Sequence, residues 1–234
     1  MKKTILLVVL ATSHLLLFSQ TVNIHFKNGQ TIEYPSENVD YVDFSEKASD
    51  PTVTAGQAVD LGLSVYWASC NLGAEKPEEY GDYYAWGETK TKQQFTRNNY
   101  AYYNSNTTLY TNIGSEISGT EYDAATVNLG SDWRMPTRSE MQELIDKCIW
   151  EWTQINNVNG YKVIGKNGNS IFLPAAGLEF SHIGVLLYYS TGSLQDVGLC
   201  YCLIGSSNSI TCFVVQSYSG FIIRPVTTNP NAGG

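Results

Sequence analysis

The hydrophobic pattern sets one stretch apart from the rest of the chain. Met141, Leu144, Ile145 and Cys148 recur at i, i+3, i+4 and i+7, the spacing of one buried helical face. The start of that helix is marked twice. Thr137 and Glu140 have the Thr-x-x-Glu spacing of a capping box, and Pro136 disfavours helix before them. Everywhere else the pattern is that of short strands and loops. It predicts an α+β domain in which one main helix braces a twisted antiparallel sheet.

At the N-terminal end Val22, Ile24 and Phe26 alternate with polar residues, Asn28-Gly29 is a hairpin signal, and residues 31–34 read as the return strand before Pro35. With a third strand at 39–44 this makes a small three-stranded β unit over residues 20–45. His25 falls on its polar face. Residues 46–55 have the Ser, Asp, Pro, Thr and Gly content of a linker. The main domain spans 56–228, and nothing apolar orders the tail 229–234. Within the domain an opening strand with a glycine turn is expected at 58–69, and the helix is expected to end at the tryptophans of 148–152. A hairpin is expected over 158–174, with four further strands at 186–190, 199–204, 210–216 and 220–226.

The first residues change the picture of where the chain works. Lys2 and Lys3 precede an apolar run over 5–18, and Ser19 offers a cleavage position, so residues 1–19 read as a signal peptide. Export to the periplasm, the outer surface or the medium is the expectation, with no transmembrane segment left after cleavage. Without Lys2 and Lys3 the chain has 12 basic and 22 acidic residues, a net −10, which argues against nucleic acid or an anionic membrane as partner. The remaining histidines, His25 and His182, are far apart, which excludes a multi-histidine metal site; no cofactor is expected. Of the five cysteines, Cys200 and Cys202 are two apart on one strand face and read as small buried apolar residues.

Candidate chemistry is sparse. Residues 98–112 are rich in Tyr and Asn and carry no charge, so Tyr102, Tyr103 and Asn106 could face a carbohydrate, although a long loop covering the core is the plainer reading. Tyr188 and Tyr189 are neighbours in an expected strand, so one faces the core and the other solvent. The outward one, with Asn208 in the polar loop 206–209, is the first-choice ligand surface. Trp133 is expected in the core. Arg134 is expected to be a partly buried cation held by Asp82 or Glu88. Glu75, Glu78, Glu79 and Asp82 read as a solvated acidic loop.

Five segments carry a resemblance: residues 59–74 (Val-Asp-Leu-Gly-Leu-Ser-Val-Tyr-Trp-Ala-Ser-Cys-Asn-Leu-Gly-Ala), 80–89, Trp133-Arg134-Met135-Pro136-Thr137, residues 167–177, and Arg224-Pro225-Val226. Together they resemble the Fibrobacter succinogenes major paralogous domain family of exported Bacteroidetes-type proteins, over about residues 56–228. The resemblance implies a C-type lectin-like fold. It also implies that Cys70 and Cys148 lie close together, bridged or packed as thiols. The Arg-Met-Pro-Thr element is similar to one in formylglycine-generating-enzyme-like domains, which use paired cysteines to bind copper, and Cys200 with Cys202 is the only close pair. The calcium-dependent sugar tripeptides of the C-type lectins, Glu-Pro-Asn, Gln-Pro-Asp and Trp-Asn-Asp, are absent. The resulting expectation is a non-catalytic recognition module for a glycan or protein at the cell surface. The alternatives are a structural subunit of a surface appendage and, last, a copper oxidase.

Overall fold

The computed structural model describes residues 21–25, 31–35, 56–179 and 181–233. The chain divides into two compact units, residues 1–51 and 52–234. In the first, β1 (Thr21–His25) pairs antiparallel with β2 (Thr31–Pro35), Val22 opposite Tyr34 and Ile24 opposite Ile32. The expected signal peptide, the Asn28-Gly29 turn, the third strand at 39–44 and the linker 46–55 lie outside the described residues.

The second unit is α+β and mainly β. It opens with β3 (Ala58–Val59) and β4 (Tyr66–Ala68), and its last strand, β13 (Val226–Thr227), returns to pair with β4, giving the order β13-β4-β3. Between them lie a short hairpin, β5 (Tyr103–Asn104) with β6 (Leu109–Tyr110), and two helices, α1 (Ala124–Leu129) and α2 (Arg138–Lys147). Two three-stranded antiparallel meanders follow: β7 (Ile149–Ile155), β8 (Val158–Ile164) and β9 (Ser170–Pro174), then β10 (Leu187–Asp196), β11 (Leu199–Ser206) and β12 (Ser209–Gln216). Among the described residues, no helix is long and apolar enough to cross a membrane.

Helix α2 begins where its capping box stands. Thr137 Oγ1 accepts from Glu140 N at 3.2 Å, and Glu140 Oε2 accepts from Thr137 N at 2.8 Å. The same carboxylate takes the Arg134 guanidinium as a fork, with Nη1–Oε2 at 2.8 Å and Nη2–Oε1 at 2.5 Å. This corrects the expected partners of Arg134. Glu88 is held by Lys92 instead, at 2.7 Å, and Asp82 lies beside Tyr84. A carboxylate in the first helical turn, six residues from Arg134, already reaches it. Met141 and Leu144 are buried on α2, while Ile145 and Cys148 pack half-buried against the same cluster. Trp133 is buried with Ala68.

The helix stops at Lys147 rather than running on to the tryptophans. Cys148 is its C-cap, and residues 149–155 alternate as a strand, Trp150 and Trp152 turned inward against Tyr161 at 5.4 and 5.0 Å. The signal was present in the sequence. A period of two with aromatic and β-branched residues ends in Asn156-Asn157, both at positive φ (48° and 67°), the backbone of a tight hairpin turn. The tail also differs from expectation. Ala232 is buried against Ala68 and Trp133, and its carbonyl accepts from Ala58 N at 3.1 Å.

At the centre is a buried arginine, Arg224, with no exposed surface. Its Nε donates to Asn71 Oδ1 (2.8 Å), Nη1 to the carbonyls of Ala68 (2.9 Å) and Ser69 (2.7 Å), and Nη2 to the carbonyl of Phe172 (2.7 Å). Backbone bonds on either side, Ala68 N to Pro225 O and Leu72 N to Ile223 O, both 2.9 Å, clamp the two segments together.

Two outcomes follow. Arg224→Met leaves four buried acceptors without a donor and should cost at least about 3 kcal/mol in urea unfolding; a loss below about 1 kcal/mol would show the arginine to be dispensable. At α2, Thr137→Ala should cost about 1 kcal/mol. Burial alone would raise the Glu140 carboxyl, but hydrogen bonds from Arg134 and Thr137 and the guanidinium charge outweigh it and hold it below its ordinary 4.5. Its contribution is therefore complete above that unfolded value and is lost as pH falls through the lower folded one. Glu140→Gln should show a smaller loss of stability on acidification below about pH 4.5 than the parent, measured by urea titrations across that range.

Candidate functional site

The first-choice surface does not assemble as expected. Tyr188 and Tyr189 do face opposite sides of β10, but both serve the core. Tyr189 is fully buried; its hydroxyl donates to the Pro174 carbonyl at 3.1 Å and accepts from Asn71 Nδ2 at 3.4 Å. Burial pushes its phenol up to about 12. It is therefore withdrawn as a contact for any ligand. Tyr188 is half-buried and stacks on Phe221, with centroids 6.2 Å apart, against a second core cluster that contains Cys200 and Cys202. Asn208 is exposed in the β11–β12 turn, which is tied to the first cluster by Tyr161 Oη donating to the Ser206 carbonyl at 2.6 Å. Tyr188 and this turn are thus attached to different clusters.

The tyrosine-rich stretch is more organised than its composition shows. Thr96 and Asn99 form a small capping box around the 3-10 turn Arg97–Asn99. That turn delivers the chain into the β5–β6 hairpin, where Tyr103 and Tyr110 pair at 4.9 Å. Tyr100 lies 5.6 Å from Tyr102 and 6.2 Å from Tyr110, and Tyr102 meets Tyr122 edge-on at 5.7 Å. The inner members are anchored to backbone: Tyr100 Oη donates to the Trp86 carbonyl at 2.7 Å, and Tyr102 Oη to Gly87 at 3.0 Å. Glu88 accepts from Ala101 N and pairs with Lys92, whose ammonium lies 5.4 Å from the Phe95 ring. Tyr102 thus belongs largely to the packing beneath the hairpin, while Tyr103 is half-exposed at its surface and Asn106 is exposed at its tip.

The sequence pattern singles out neither Arg97 nor Tyr218 of this surface, and Tyr110 only as part of the run 98–112. The Arg97 guanidinium lies over the Tyr103 ring at 5.8 Å and the Tyr218 ring at 5.6 Å, and its pKa is raised, the nearby Tyr110 being the largest cause. Arg97 and Tyr110 were legible in principle, one beside a Thr-x-x-Asn turn and the other within the Tyr-rich run. Tyr218 arrives from beyond β12 and carries no local signal.

Beneath the hairpin is a cavity of about 10 Å³, lined by Trp86, Tyr100, Tyr110, Val197, Gly198 and Ser217 among others. Trp86 Nε1 and Ser217 Oγ, both buried, make no hydrogen bond of good geometry; Ser217 Oγ lies beside the Cys200 thiol, a weak partner. Gly198 sits at φ 81°, and a Cβ there would fall 2.8 Å from the Tyr110 ring, so this close approach requires glycine.

The cysteines are free thiols, so the pairing of Cys70 with Cys148 implied by the resemblance is not a bridge. Cys70 is buried with its Sγ 3.7 Å from Ser69 Oγ, and Cys148 caps α2 half-exposed. Cys200 and Cys202 are buried. Burial pushes the Cys200 thiol up to about 12 and the Cys202 thiol well above its ordinary value, which disfavours the thiolates that copper binding needs. His182 is exposed at φ 58°, its Nδ1 3.2 Å from Ser181 Oγ. In the acidic loop, Glu79 accepts from the N–H groups of Glu75 and Lys76, and Glu78 from Asn156 Nδ2, so two of its carboxylates tie down loop structure. Among the described residues, no group of three or more His, Cys, Asp or Glu side chains is placed to hold a metal ion.

No protein-family model matches the chain, and neither a curated protein nor a solved structure was found to match it.

The burial pattern predicts thiol reactivity. In the native protein a charged disulfide reagent should modify Cys148 and Cys212, while Cys70, Cys200 and Cys202 should react only after unfolding. Rapid native labelling at Cys200 or Cys202, mapped by mass spectrometry, would contradict the buried thiol pair.

Proposed function

We propose that this chain is a non-catalytic, exported recognition module that binds a glycan or protein ligand at the cell surface. The leader-like Lys2, Lys3 and apolar run over 5–18 support export. The five segments resembling the Fibrobacter succinogenes major paralogous domain family support a C-type lectin-like reading of the main unit. The observation that carries the binding surface is the Arg97 guanidinium lying over the rings of Tyr103 and Tyr218, on a hairpin whose inner tyrosines are anchored to backbone. Rigid aromatic faces beside an arginine are what recognition surfaces use, because area is gained with little side-chain freedom to lose. The surface chosen here is therefore that of Arg97, Tyr103, Tyr110 and Tyr218, with Asn106 at its tip, in place of Tyr188, Tyr189 and Asn208. The deep burial of Cys200 and Cys202 weighs against the copper-oxidase reading.

A screen of the full chain against arrayed glycans and cell-surface proteins, with and without calcium, identifies a ligand. Tyr103→Ala and Tyr218→Ala should then each weaken binding about tenfold, ~1.4 kcal/mol, with little change in melting temperature. Unchanged binding in both variants, with loss in Tyr188→Ala, would move the surface back to β10.

A further inference from the structure

The proposed surface has an electrostatic character that its composition conceals. The protein as a whole carries a net charge of −8, yet residues 98–112 contain no charged side chain. Arg97 stands at the edge of that neutral field. It is exposed, and none of the ion pairs among the described residues includes it; those join Lys92 to Glu88, Arg134 to Glu140 and Lys147 to Glu143. The groups around its guanidinium are phenols: the rings of Tyr103 and Tyr218, at 5.8 and 5.6 Å, and Tyr110 nearby. Aromatic neighbours at this distance do not use up the N–H donors of a guanidinium, and its fork matches a carboxylate bidentately.

We propose that this surface recognises an acidic sugar: a pyranose bearing one carboxylate, which takes the edge of Arg97 while the ring lies against the tyrosines. The proposal rests on the recognition role argued above and names its ligand class. A single cation among neutral amides and hydroxyls matches a ligand unit with one negative charge among hydroxyl groups. The exposed Asn104, Ser105, Asn106 and Thr107 supply hydrogen-bonding groups on the adjoining hairpin tip. An acidic peptide, with several carboxylates, would find one counter-charge here and the repulsion of a net-negative protein around it.

The test uses the full chain and four probes: a glucuronic-acid disaccharide, its methyl ester, the corresponding glucose disaccharide, and an Asp/Glu-rich peptide. Binding is followed by ligand-detected NMR and calorimetry. The acid should bind at least about tenfold more tightly than the ester. Arg97→Gln should remove that preference and leave ester binding unchanged, Arg97→Lys should restore part of it, and amide spectra should show both variants folded. Equal binding of acid and ester overturns the acidic-sugar assignment. If the neutral disaccharide then binds and Tyr103→Ala abolishes it, the aromatic surface stands without it. Arg97-dependent binding of the peptide alone would make the partner a protein, and no binding of the acid at all would remove Arg97 as a ligand contact.

Discussion

A guanidinium without exposed surface holds the main unit together. Among the described residues Arg224 pairs with no carboxylate; its donors end on three backbone carbonyls and one amide oxygen, so its charge is shared among dipoles. Ala68, Ser69 and Asn71 belong to the opening of the domain, Phe172 to the first meander, and Arg224 itself to the closing segment. One side chain therefore joins three parts of the chain that no single sheet connects. Burial lowers its pKa, with Tyr189 offsetting part of the effect. Tyr189 in turn shares Asn71 with Arg224, which is why an apparently versatile tyrosine is committed to the interior.

The hairpin surface is built on a different principle. Its members come from the turn at Arg97, the β5–β6 hairpin and the segment after β12, and its inner layer is held by phenol hydroxyls donating to the backbone at Trp86 and Gly87. Packing below and exposure above divide the tyrosines into two roles. Tyr100 and Tyr102 fix the hairpin to the domain, while Tyr103 and Tyr218 flank a cation at the surface. Gly198 lets Tyr110 join the two layers by giving its ring direct contact with backbone.

What could be read in advance follows from the range of the forces involved. The start of α2 was legible because a capping box is closed within four residues. Hairpin strands such as β8 and β9 were legible because alternation and turn chemistry are also local. Arg134 finds its partner locally, in Glu140 of the first helical turn, where the sequence offered Asp82 and Glu88 as more distant acids. The strand β7 is masked in the sequence because its tryptophans follow directly on the last turn of a helix. Tyr188 and Tyr189 were correctly split between two faces, but no local pattern tells that both faces of β10 are covered. Arg97 and Tyr218 meet only through tertiary structure, so neither could be assigned to the other.

The pairing of β13 with β4 has a consequence for how the molecule comes into being. β4 is among the first strands of the domain to leave the ribosome, while β13, which pairs with it, comes late, as does the arginine that donates to the Ala68 carbonyl. Contacts this distant in sequence close slowly, because the intervening chain must be gathered first. Until synthesis has passed Val226, β4 has only β3 beside it, and Arg224 has just emerged to bind its carbonyls. Closure of this sheet and seating of the buried guanidinium are therefore late events, set by the sequence distance between the strands that they join.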